Sequence, residues 1–303
     1  MKILLTGAHG QVGSALLPLL QALGPVTALG RDALDLADAE AVRAAVHTHR
    51  PQVIVNAAAY TAVDRAETEP ERARAVNGIA PGVLAEAAGH LDGALIHYST
   101  DYVFDGSLER PYTEDDAPHP LGVYGRSKWL GEQAVLASGT PALVFRTSWV
   151  YSLHGANFLK TMLRLGCERE VLRVVNDQWG APTWAGSIAR ATADILLQAQ
   201  AADDPVAFIR RHRGVYHMTN AGATTWYDFA RAIFALRPEC TARVEPIPAS
   251  EYPSPVRRPV NSRLDNGKLA RQFRCVLQPW QEALAQCLAA LPPAHSRQES
   301  RAP

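Results

Sequence analysis

Lysine is scarce in this chain: among 30 basic residues, only Lys2, Lys128, Lys160 and Lys268 are lysines. Excess charge is lacking as well. The 30 Lys and Arg balance 30 Asp and Glu, which argues against nucleic-acid affinity built on surplus positive charge. No run approaches the roughly 20 consecutive apolar residues of a membrane helix. The first residues are too short an apolar stretch for a signal peptide and precede no cleavage site. Cys167, Cys240, Cys275 and Cys287 are widely spaced, with no CxxC and no Cys/His cluster. That spacing speaks against a disulfide framework and a metal site. The expectation is a soluble cytoplasmic protein with no nucleic-acid or membrane partner. What is present is a chain of 303 residues, 47% hydrophobic and 20% charged, enough to build a substantial core in one large domain or two.

The first half alternates short β-rich runs with helical ones. Strands are predicted over residues 2–6, 26–29, 53–56, 94–98 and 142–146. Helices are predicted over 11–23, 38–47, 71–90 and 123–138. The first helix carries Val12, Leu16, Leu19, Leu20 and Leu23 on one face, and Pro18 inside it should cost stability. Such alternation predicts an α/β fold, a Rossmann-type doubly wound parallel sheet over 1–148. Beyond it, proline is denser and helices are predicted over 157–165, 185–200, 225–235 and 279–291. This reads as a smaller mixed α/β lobe over 149–291 with some segments returning to the first domain. Residues 292–303, rich in Ser, Arg, Gln and Pro, read as a disordered tail.

The sequence Thr6-Gly7-Ala8-His9-Gly10-Gln11-Val12-Gly13 joins the first strand to the first helix. Glycines at this spacing allow a tight turn and let backbone N–H groups approach a pyrophosphate at the helix N-terminus. A plain strand-to-helix turn needs only one of them. Placed at residue 7, directly after an apolar strand, the loop points to a dinucleotide. The second strand ends at Gly30-Arg31-Asp32, with no acid at its very end. An Arg there suits a 2′-phosphate, so NADPH is expected, with NADH as the alternative.

Tyr124-Gly-Arg-Ser-Lys128 places a phenol and an amine four residues apart, on one face of the predicted helix. A neighbouring ammonium stabilises a phenolate and should lower the tyrosine pKa from about 10. The pair could then protonate a carbonyl oxygen as hydride arrives. Upstream, Ser99, Thr100 and Asp101 close the fourth strand, at the carboxyl end where a ligand crevice forms. Either hydroxyl could polarise a carbonyl, or could simply satisfy local backbone groups.

Glycine loop, Asn56-Ala-Ala-Ala59, Ser99-Thr-Asp101, Tyr124xxxLys128 and Arg146-Thr-Ser-Trp149 together resemble the extended short-chain dehydrogenase/reductases. Residues 53–64, 97–104, 145–151, 157–165, 176–183 and 257–264 carry a closer similarity, to the dTDP-4-dehydrorhamnose reductases, over roughly residues 1–290. The resemblance implies reduction of a dTDP-4-keto sugar at C4 to dTDP-L-rhamnose, feeding lipopolysaccharide O antigen or another rhamnosylated product. It implies Thr100, Tyr124 and Lys128 as the catalytic set, with Lys128 also on the nicotinamide ribose. Gly7, Gly10, Gln11, Val12 and Gly13 would hold the pyrophosphate, Arg31, Asp35 and Leu36 the adenosine side, and Ala57, Ala58 and Thr61 the nicotinamide half. Asp101, Tyr102, Trp149, Asn157, Gln178 and Arg258 would contact the nucleotide sugar. Some relatives bridge two subunits through magnesium held by acids. Here Ala15 and residues 184–187 supply no carboxylate, so a monomer or weak homodimer without a metal is expected.

Two alternatives stay open at this stage. A nucleotide-sugar epimerase or dehydratase shares the cofactor loop, but such dehydratases place a second acid after Thr-Asp, where this chain has Tyr102. A non-catalytic regulatory subunit of the methionine adenosyltransferase type is the other, against which the intact Thr100, Tyr124 and Lys128 speak.

Overall fold

The computed structural model describes residues 1–291; the tail expected over 292–303 lies outside them. Five strands alternate with helices in the first half: β1 (Ile3–Thr6), β2 (Val26–Leu29), β3 (Val53–Asn56), β4 (Ala94–Thr100) and β5 (Ala142–Thr147). Every residue of β1, β3, β4 and β5 is buried. Both faces are covered by helices, which is why these strands read as continuous apolar runs rather than alternating ones. With Gly214–His217 they form one parallel sheet, in the order Gly214–His217, β5, β4, β3, β1, β2. The strand order reverses around β1, so a crevice opens past Thr6 and Asn56, which are register partners.

On one face of the sheet, helix α1 (Gln11–Gln21) puts Leu16 and Leu20 into a core shared with Ile188 and Ile195 of the helix Ala185–Ala201. On the other, helix α2 (Ala39–His49) packs Val42 and Val46 with Val83 and Leu84. Asp38 caps α2, its Oδ1 accepting from the N–H groups of Glu40 and Ala41 at 3.0 Å each. Pro18 is tolerated because it lies on the exposed side of α1.

The long helix expected over 71–90 is interrupted. Pro70–Ala73 and Ala80–Gly89 flank a π-helical stretch, Arg74–Ile79. Pro81 explains it: the ring lacks an N–H and would crowd the carbonyl of Asn77 in a regular helix. The wider turn lets Asn77 C=O approach Gly131, where a Cβ would sit 2.1 Å from that oxygen.

A separate core of Tyr151, Leu159, Phe229, Ile233 and Leu284 holds the second lobe together. It gathers the helices Phe158–Glu168, Trp226–Leu236 and Trp280–Ala289 with the parallel pair Val171–Val175 and Arg243–Ile247. Among the described residues no helix is long and apolar enough to cross a membrane.

Candidate active site

One cleft of about 1420 Å³ runs from the glycine loop, past the ends of β3 and β4, to the second lobe. A single drug-sized ligand occupies about 300–1,000 Å³, so this volume accommodates two ligands end to end. Gly7, Gly10, Gln11 and Val12 line one end. Gly7 has φ +69° and a Cβ on it would lie 2.5 Å from Ala58 N. Only glycine lets the loop bend there against the start of the 57–61 segment. Gly10 caps α1 without a side-chain hydrogen bond, which leaves the first N–H groups of that helix free for an anion. Gly13 does not line the cleft; it lets α1 close on the loop, since a Cβ would meet Gly7 C=O at 2.1 Å.

Arg31, Asp35, Leu36, Ala57, Ala58 and Thr61 also line this end. Asp35 pairs with Arg72 at 2.8 Å. The Ala37 backbone N–H, with Arg72, holds its carboxyl below the usual range. Arg72 carried no motif in the sequence and reaches Asp35 only through the fold.

At the ends of β4 and β5, Thr100, Asp101, Tyr102, Tyr124 and Lys128 meet. Thr100 Oγ1 accepts from Tyr102 N at 3.2 Å and donates to Asp101 Oδ1 at 3.0 Å. Asp101 is buried, and burial raises its carboxyl to about 6 despite the hydrogen bond from Thr100. The rings of Tyr102 and Tyr124 meet edge to face at 5.7 Å and 76°. Tyr124 and Lys128 do come from one helix, Val123–Ala137, into one cleft. The expectation that Lys128 lowers the Tyr124 pKa is not met. Burial pushes the phenol up to about 12, and the opposing influence is a hydrogen bond with Thr100. Lys128 turns its Nζ to Tyr98 C=O at 2.6 Å, and burial pulls it down to about 8.

The far end is aromatic. Trp149 stacks on Trp226 at 3.5 Å and 9°, and Phe158 lies against Trp226 at 4.7 Å. Trp149 has φ +48°, uncommon for a bulky residue. Gly180 makes room for it: a Cβ there would lie 2.4 Å from the indole. Asn157 Nδ2 donates to Gln11 Oε1 at 2.8 Å, tying the second lobe to the glycine loop. Arg258 reaches Asp64 at 3.3 Å on the rim. Gln178, expected with these residues, is buried beside Trp179 and does not line the cleft. Trp226 and Phe158 were missed because the sequence offered them only as members of amphipathic helices.

The sequence family described as the RmlD substrate binding domain matches residues 1–292. A dTDP-4-dehydrorhamnose reductase of Burkholderia thailandensis is 50% identical over 295 residues, covering 95% of this chain and 98% of the relative. Two solved dTDP-4-dehydrorhamnose reductases are similar in structure. That of Clostridium acetobutylicum has a TM-score of 0.87 at 36% identity, covering 95% of this chain and 99% of the other. That of Bacillus anthracis, in complex with NADP, has a TM-score of 0.85 at 32% identity, covering 96% and 100%. With a continuous match through both lobes, the chain belongs to the dTDP-4-dehydrorhamnose reductase family.

Proposed function

We propose that this protein reduces the C4 ketone of dTDP-4-dehydro-6-deoxy-L-mannose (dTDP-6-deoxy-L-lyxo-4-hexulose) to give dTDP-L-rhamnose, using NADPH, with NADH as a second donor. The observation that carries the reading is the convergence of Thr100, Tyr124 and Lys128 midway along a cleft with a glycine loop at one end and an indole stack at the other. The solved relative from Bacillus anthracis is in complex with NADP, and the uncapped N-terminus of α1 fits a pyrophosphate.

Reduced nicotinamide supplies the hydride when bound. The remaining work falls to side chains of the chain. Tyr124, a phenol with its proton firmly held, donates that proton to the C4 oxygen as negative charge develops there. Thr100 contacts both Asp101 and Tyr124 and orients the oxygen. Lys128, as an ammonium, offsets the charge left on the phenolate. The Trp149–Trp226 stack offers a flat face to the sugar or thymine, and Arg258 offers a charge-assisted donor to the diphosphate. Arg31, on the cleft wall beside the ribose end, suits a 2′-phosphate. A monomer or weak homodimer working in the cytoplasm completes the reading.

The test is a coupled assay. dTDP-glucose is supplied with the upstream dehydratase and epimerase, this protein is added, and oxidation of NADPH and NADH is followed by absorbance. Sugar-dependent net oxidation, faster with NADPH, is the expected result. Turnover of the sugar without net oxidation would favour an epimerase.

A further inference from the structure

Lys128 is buried within the fold, and a row of polar side chains leads to its Nζ from the centre of the sheet. Thr6 Oγ1 donates to Asn56 Oδ1 at 2.7 Å, and Ala58 N–H reaches the same oxygen at 3.3 Å. These two donors fix which end of the amide is oxygen. Asn56 Nδ2 therefore faces His97 Nδ1, at 3.1 Å. An amide nitrogen only donates, so Nδ1 is the bare, accepting nitrogen of the ring. Burial is the leading cause that keeps His97 neutral. A neutral ring accepting at Nδ1 carries its hydrogen on Nε2, and Nε2 lies 3.5 Å from Lys128 Nζ.

That placement opposes two donors whenever Lys128 is charged. An ammonium offers hydrogens and no lone pair, so it meets Nε2–H head-on. Moving the ring hydrogen to Nδ1 relieves the contact at Lys128 but sets Nδ1–H against Asn56 Nδ2–H. The row closes without conflict only when Lys128 is an amine whose lone pair accepts from Nε2–H. Tyr98 C=O accepts a hydrogen from Nζ in either form.

We infer that His97 is a positioning residue that, oriented by Asn56 and Thr6, donates Nε2–H to Lys128 and favours its amine form over the ammonium.

The charged groups around Lys128 do not override this preference. Glu132, one turn on in the same helix, favours the ammonium. Both of its oxygens are engaged by Arg146, at 2.9 and 2.7 Å. Asp101, past the end of β4, is taken up by Thr100. On the π-helical stretch packed against the other side of the helix, the uncharged Asn77 bonds Ser127. Burial already pulls Lys128 below the ordinary lysine range, and His97 acts in the same direction. The consequence for catalysis rests on the proposed reduction: an amine cannot offset a phenolate, so the working ammonium is confined to the lower part of the pH range. The protonation claim itself stands on the row of contacts and is read without turnover.

With only four lysines in the chain, the full-length protein labelled with ¹⁵N-lysine gives side-chain signals that can be followed one by one by NMR. The Lys128 signal is the one lost in Lys128→Arg. In the unsubstituted protein it should titrate well below the ordinary lysine range. His97→Phe keeps a ring in the site but removes the donor, and should raise the Lys128 midpoint by about one pH unit, the scale of one hydrogen bond. Asn56→Leu, which adds no charge, should raise it as well, because without the amide donor the ring can carry its hydrogen on Nδ1 and offer Nε2 to the ammonium. A folded variant in which the midpoint does not rise overturns the inference; if His97→Phe fails to fold, Asn56→Leu decides. A titration that behaves as stated in a protein without reductase activity would leave this inference standing and sink the proposed function instead.

Discussion

Replacing Tyr124 by Phe deletes the proposed proton donor and leaves the ring against Tyr102. Turnover should fall by about 10²-fold or more, the usual scale for a general acid, while the dissociation constant for NADPH stays within a few-fold. Steady-state kinetics with a fluorescence titration of the cofactor checks both. Lys128 gives the same site a pH signature. Its ammonium is the acid form, present below its pKa of about 8. kcat/KM should therefore decline as pH rises through about 8, and a profile flat to pH 10 would remove the ammonium from the mechanism. A third residue-scale consequence is structural. Glu132 and Arg146 form a buried bidentate pair, with Arg146 also over the Phe104 ring at 5.0 Å. Glu132→Ala strands a guanidinium in the core and should cost about 3–5 kcal/mol in chemical denaturation. The meeting of Thr100, Tyr124 and Lys128 in one cleft was legible in the sequence because strand end, YxxxK and glycine loop came in the right chain order. The proton affinities were not. They follow from burial, opposed by Thr100 at Tyr124 and by Glu132 at Lys128, and no spacing rule shows where a lysine turns its Nζ.

The elements carry the site through close approaches that only glycine permits. Gly180 faces the Trp149 indole, so Gly180→Ala should dislodge the stacked pair and weaken nucleotide-sugar binding more than cofactor binding. KM for the sugar rising at least several-fold with KM for NADPH little changed is the expected pattern. Equal losses for both ligands would mean that the substitution disturbs the whole cleft. Strands and helices of the first half were readable from apolar runs and helical periodicity. Two features were not. Pro18 reads as a helix breaker until its place on the exposed side of α1 is seen. Residues 71–90 read as one regular helix because periodicity cannot register a single widened turn, although Pro81 was the local signal for it. Gln178 lies in one of the stretches that carried the resemblance, yet it is buried and is not among the residues that line the cleft. Trp226, by contrast, reaches the cleft from the first turn of a helix whose amphipathic pattern gave no reason to single it out.

At the scale of the whole molecule, stability and chemistry are both linked to pH. His97 and His217 are buried and neutral, each below the ordinary histidine range through burial first. The unfolded chain binds a proton at each below about 6.5 and the native state does not. Stability is thus fully present above that pH and is lost as pH falls below it. Asp101 works the other way: its raised pKa of about 6 lets the native state bind a proton that the unfolded chain binds only near 3.8. Two protons against one leave a net loss of roughly 1.4 kcal/mol per pH unit between about pH 6 and 4. Thermal unfolding across that range should show Tm falling with acidity, and His217→Asn should flatten the fall.

The Gln11–Asn157 hydrogen bond joins the cofactor loop to the lobe that carries the aromatic platform, so both ligands are expected to meet across one continuous crevice. The most direct test of that meeting uses NADPH deuterated at the transferable position of the nicotinamide, given with the dTDP-4-keto sugar. One deuterium at C4 of the product sugar is expected for each cofactor oxidised. A product without deuterium at C4, or sugar turnover with no oxidation of the cofactor, would contradict it.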